Sequence, residues 1–171
     1  MSIDKTSDWN SVKGLISDWY KEVSLNQDSH SQAAKLYNRL HYWLGVPVVI
    51  FSTVVGTAAF ASLHQQANDE VRMGAGIVSV VSAILASLQT FFGFGERAEK
   101  HRALGVGYEK ARKEINEIQK LPIHLRGNVK DRLDRLRQTM DALGDGSPDV
   151  PAYVHRRARA KKPRHKTTAT A

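Results

Sequence analysis

The chain has 171 residues, 42% of them hydrophobic, a net charge of +8 and no cysteine. That length gives a prior of one domain, and the missing thiols exclude a disulfide framework, a thiolate zinc site and a cysteine nucleophile. Arg156, Arg157, Arg159, Lys161, Lys162, Arg164 and Lys166 lie between Ala152 and Ala171 with no acid among them, so the rest of the chain is close to neutral.

Trp9, Val12, Ile16, Trp19 and Val23 recur at three- and four-residue spacing, which predicts an amphipathic helix over Ser7 to Leu25 with Ser7 or Asp8 as its cap. The polar run "NQDSHS" reads as a break, after which a second helix runs from Gln32 into an apolar block. The stretch before that block lacks the short basic start and apolar core of a cleavable signal peptide. The block itself is expected to act as an uncleaved insertion signal.

Two blocks, Leu44 to Leu63 and Met73 to Gly95, contain no charged residue. Each is long enough, at about 1.5 Å per residue, to cross the roughly 30 Å of bilayer hydrocarbon. Tyr37, Tyr42 and Trp43 precede the first block, where amphipathic rings favour the headgroup layer. Pro47 lies near its start, lacks an amide hydrogen and crowds the carbonyl of Trp43, so a kink is expected there. The polar link "HQQANDEVR" suits a tight antiparallel hairpin. Lys35, Arg39, Arg97, Lys100, Arg102, Lys110 and Arg112 flank the outer ends of the blocks, against Arg72 alone in the link. The positive-inside bias therefore puts both termini in the cytoplasm. The competing reading, a soluble bundle with a buried apolar hairpin, would normally leave a polar face on each helix, and neither block has one.

Beyond the second block, Leu104, Tyr108, Ala111, Ile115 and Ile118 alternate at spacings of four and three until Pro122, and Val129, Leu133, Leu136, Met140 and Leu143 repeat the pattern. Asn128 caps the second run and "GDGSP" stops it. These helices either pack on each other and on the N-terminal helix or form a seam between subunits. The expected fold is all-α: a two-helix transmembrane hairpin with a cytosolic helical bundle formed by N-terminal and C-terminal amphipathic helices. Its parts are an N-terminal helix over 1–30, a hairpin over 31–95 with spans at about 44–63 and 74–94, a helical region over 96–150, and a disordered basic tail over 151–171.

Ser79, Ser82, Ala86, Gln89 and Gly93 fall on one stripe of the second span. Such a stripe lines a wet pore between several copies, or lets helices approach closely and hydrogen-bond, and the two uses are compatible. Ser52 and Gly56 form a small-xxx-small packing pair on the first span. Neither span has an ionisable group, which disfavours a proton-coupled transporter. "GFGERA" matches the dinucleotide pattern GxGxxA, but an apolar helix rather than a strand precedes it. Gly93 and Gly95 read instead as a hinge and Phe91, Phe92 and Phe94 as an interfacial anchor. The histidines are scattered without metal-ligand spacing, and no nucleophile–base pair, paired-carboxylate site or phosphate loop is found, so no metal, cofactor or enzymatic activity is expected. The basic tail has three readings: attraction to anionic lipid, contact with nucleic acid (disfavoured because no aromatics interleave the charges), or a solvated tail.

The order of an amphipathic helix, "YNRLHYWLG" leading into a span, a short hairpin, "ERAEKHRALGVGYEKARKEI" and a final "SPDVPAYVHRRA" resembles the SLATT family, the SMODS- and SLOG-associating two-transmembrane effectors of bacteria. The resemblance covers about residues 7–158 and rests on loose patterns with no catalytic signature. It implies a homo-oligomeric pore-former that permeabilises the bacterial inner membrane in anti-phage defence when a sensor, such as a nucleotidyltransferase or reverse transcriptase, signals infection, arresting or killing the cell. No sensor is appended here, so the trigger is expected from a separate partner or from assembly. The alternatives are a membrane-anchored scaffold that recruits a cytosolic partner and a holin-like phage protein, although holins carry smaller cytosolic parts.

Overall fold

A computed structural model describes the backbone of residues 5–63, 68–122 and 125–161. All its regular elements are helices: α1 Lys5–Leu63, α2 Asp69–Phe92, α3 Phe94–Lys120, α4 Val129–Asp145 and α5 Ala152–Lys161. No strand occurs among the described residues. The chain divides into two compact units, Met1–Ala34 with Glu99–Ala171, and Lys35–Ala98.

The first unit has a closed apolar core. Ile16 and Val23 of α1, Tyr108, Ala111, Ile115 and Ile118 of α3, and Leu136 of α4 are buried in one cluster, flanked by Val12, Trp19, Tyr20, Leu104, Leu133, Met140 and Leu143. All of these but Tyr20 are positions that the three-four spacing singles out, because residues three and four apart share one helix face. Full burial of each large aliphatic side chain is worth about 1.5–3 kcal/mol. The helix ends are satisfied locally. Asn128 accepts from the Asp131 amide at the start of α4, and Pro122 follows the end of α3. Arg126 closes that end by donating from Nε to the Leu121 carbonyl at 2.6 Å, which satisfies a carbonyl left open beyond the helix. Arg132 pairs with Glu117 at 3.0 Å, tying α4 to α3.

Three expectations are corrected in this unit. The first is the break at "NQDSHS": α1 is helical without interruption through it. Ser29 and His30, read as loop residues, are buried there at 1% and 3% exposure. Polar residues favour loops chiefly when their side chains lack partners in a packed interior, and His30 has partners on α3 and beyond α4. The second is the cap: α1 is already helical at Lys5, ahead of Ser7 and Asp8. The third is the disordered tail. Residues 152–161 form α5, with Val154 and Ala158 buried at 4% and 1% exposure. Tail residues 162–171 lie outside the described residues.

The second unit is a pair of helical segments with the opposite character. Val46, Val49, Ile50, Val54 and Phe60 on α1, and Ile77, Val80, Val81, Ile84 and Phe91 on α2, are all exposed. None of the apolar stretch on α1 and 6% of that on α2 is buried. Helix α1 continues through Pro47. Helix α2 stops at Phe92, two residues before the expected end of the span, and Gly93 takes a left-handed conformation, φ 54° and ψ 39°, before α3 begins.

Candidate functional site in the apolar hairpin

The hairpin packs through the stripe on α2. Ser82 is buried at 6% exposure, Ala86, Gln89 and Gly93 are half-buried, and Ser79 is exposed. Gly45 of α1 faces Gln89 closely: a Cβ built there would stand 3.1 Å from Gln89 Nε2. Absence of a side chain at residue 45 is what lets the two backbones approach with an amide between them. Sequence spacing marked Gln89 but gave no sign that Gly45 receives it.

Ser52 and Gly56 are exposed, and nothing lies within 4 Å of where a Gly56 side chain would begin. Gly56 is therefore not a point of close approach within this hairpin, and Ser52 stands exposed beside it. With Thr53 and Thr57 they make an exposed small and polar face on α1. The hydroxyls of Thr53 and Thr57 donate to the carbonyls of Val49 and Thr53, and those of Ser87 and Thr90 on α2 donate to Ala83 and Ala86, all at 2.8–3.0 Å. Bonding four residues back satisfies a hydroxyl without water, which a non-aqueous surround requires.

Around the end of α2, His41, Gln89, Thr90 and Glu96 line an open cleft of mixed character with Gly93, Phe94 and Gly95. Phe92 stacks on Phe94 with centroids 5.3 Å apart, and Tyr37 stacks on Phe94 at 6.3 Å. Tyr42, Trp43 and Phe91 are 60%, 73% and 82% exposed. Exposed rings bordering an apolar surface match the headgroup layer of a bilayer.

The first unit holds a polar network that spacing did not reveal. His30 Nδ1 lies 2.9 Å from His101 Nδ1, and its Nε2 lies 3.1 Å from Ser147 Oγ. Tyr108 stacks on the His30 ring at 5.6 Å. Two Nδ1 atoms at hydrogen-bond distance need one proton between them, so one ring donates and the other accepts. Burial first, and then His101, lower the His30 pKa from 6.5 to about 4. Partners 71 and 117 residues away in sequence leave no local pattern to read. No group of three or more metal-ligating side chains occurs among the described residues. Of the basic tail, Arg156, Arg157 and Arg159 are exposed on α5 and Lys161 is its last residue; Lys162, Arg164 and Lys166 lie outside the described residues.

An all-helical chain with two long apolar helices that leave most of their large aliphatic side chains exposed is a membrane protein of the two-span type. Residues 12–161 match the model of the SMODS and SLOG-associating 2TM effector domain family 4. The chain belongs to that family. Neither the curated proteins nor the solved structures contain a match to it.

Proposed function

We propose that the protein is a homo-oligomeric effector that opens a pore in the bacterial inner membrane and arrests or kills the cell in defence against phage. The observation that carries this reading is the hairpin's surface. Its two helices pack on each other along one stripe and leave Val46, Val49, Ile50, Val54 and Phe60 of α1 and Ile77, Val80, Val81, Ile84 and Phe91 of α2 exposed. A single hairpin cannot enclose a channel, so conduction requires several copies. The exposed face of Ser52, Thr53, Gly56 and Thr57 is small and internally hydrogen-bonded, which suits close approach of a neighbouring copy or the lining of a narrow path. Ser79 extends the polar stripe onto exposed surface. Both termini lie in the cytoplasm in this reading, because Lys and Arg are concentrated beside the outer ends of the spans.

Gating then belongs to the first unit, and the trigger to a separate sensor such as a nucleotidyltransferase or reverse transcriptase. No catalysis or cofactor is required. The test is leak from liposomes loaded with a self-quenched dye and reconstituted with the purified protein, alongside membrane potential in cells after induction. Dye release that rises more steeply than linearly with protein density, with loss of potential, is expected. Sealed liposomes and an intact potential, with the sensor co-expressed, would sink the pore and favour a membrane-anchored scaffold.

A further inference from the structure

We infer that α5 is a docked lipid-reading helix whose exposed arginines bind the headgroups of anionic phospholipid. Two buried residues at four-residue spacing, Val154 and Ala158, fix one side of α5 in the first unit. Arg156, Arg157 and Arg159 are exposed, and Tyr153 is 56% exposed beside them. At 100° per residue, Tyr153, Arg156 and Arg159 lie on the side away from the buried pair, with Arg157 at its margin. No ion-pair partner for these three arginines occurs among the described residues, and no acid follows Asp149 in the sequence. The charge is therefore neither neutralised within the unit nor spread over a free coil.

The place of α5 in its own unit narrows the partner. Ser147, five residues before α5, is hydrogen-bonded to His30. His30 stands near Ala34, where α1 leaves this unit for the apolar segment. So α5 starts close to where α1 passes out of this unit. A cation close to an anionic leaflet gains roughly fivefold in partition, and three arginines on the order of a hundredfold. Tethering by the spans removes most of the cost of encounter. Tyr153 adds a ring of the kind that settles among headgroups. Nucleic acid is the weaker candidate, since one tyrosine gives no succession of stacking platforms. The proposal needs the chain to sit in a bilayer and does not depend on a pore.

The absence of cysteine allows a single label on exposed Ala160 through Ala160→Cys. The full-length labelled protein, carrying a polarity-sensitive dye, is placed in nanodiscs of neutral phosphatidylcholine or of the same lipid with part replaced by phosphatidylglycerol. A blue shift and rise in intensity are expected in the anionic discs only. The change should vanish in about 1 M salt, where the screening length falls to about 3 Å, and in a triple variant with Arg156→Gln, Arg157→Gln and Arg159→Gln. Replacing the same three residues by lysine should keep it. That pair of variants separates lost charge from lost folding. Equal spectra in the two kinds of disc overturn the proposal, as does a shift that survives both the glutamines and the salt. A shift in neutral discs on adding single-stranded RNA, with none from anionic lipid, overturns it in favour of nucleic acid.

Discussion

His30 shows at the scale of one residue how a polar side chain becomes structural. In the folded chain its pKa is near 4, against an ordinary 6.5. Between those values the unfolded chain takes up a proton that the folded chain refuses, so stability falls as the pH falls through that window. The groups that face the ring are His101 and Tyr108 of α3 and Ser147 after α4, with Glu22 of α1 acting on Tyr108. None of these contacts offers His30 a carboxylate, and a second proton would set two N–H groups against each other across 2.9 Å. The melting temperature in detergent should therefore drop between pH 6.5 and about 4, and His30→Gln should flatten that slope whatever its effect at neutral pH. An unchanged slope in the variant would mean that another group governs acid stability.

The joint between α2 and α3 is decided at the scale of the element. Helix α2 ends on Gly93, whose amide donates to the Gln89 carbonyl at 3.2 Å, while its φ of 54° favours a residue without a Cβ. Gly93→Ala is expected to destabilise the hairpin by about 1 kcal/mol, and Gly93→Asn by less, since asparagine tolerates the left-handed region. Equal unfolding midpoints for all three proteins would show that the joint adapts without strain. Sequence reading marked Gly93 and Gly95 together as a hinge, and only Gly93 takes the positive φ. The helices of the first unit were legible because Leu104, Tyr108, Ala111, Ile115 and Ile118 carry a periodic apolar signal. The continuity of α1 through "NQDSHS" was not, because the partners of His30 come from distant parts of the chain. The helix α5 was hidden by its charge: Val154 and Ala158 are two small apolar residues among four cationic ones, too faint a stripe to stand out. For the stripe on α2, spacing gave the residues, but which of them faces α1 depends on Gly45.

The two units show at the scale of the whole molecule how one chain answers two solvents. The first encloses Ile16, Val23, Ile115, Ile118 and Leu136 and leaves charge outside, as water requires. The second leaves Val49, Ile50, Ile77, Val80 and Ile84 more than half exposed, an arrangement that water would penalise and lipid tails stabilise. The central claim is that lipid covers these residues. Single cysteines test it most directly, because maleimide reacts with the thiolate, which does not form in hydrocarbon. In sealed vesicles, Val80→Cys and Ile50→Cys should resist a water-soluble maleimide, while Asn68→Cys and Tyr153→Cys should label from opposite sides. Labelling of Val80→Cys as fast as Asn68→Cys, with the vesicles intact, would contradict the account.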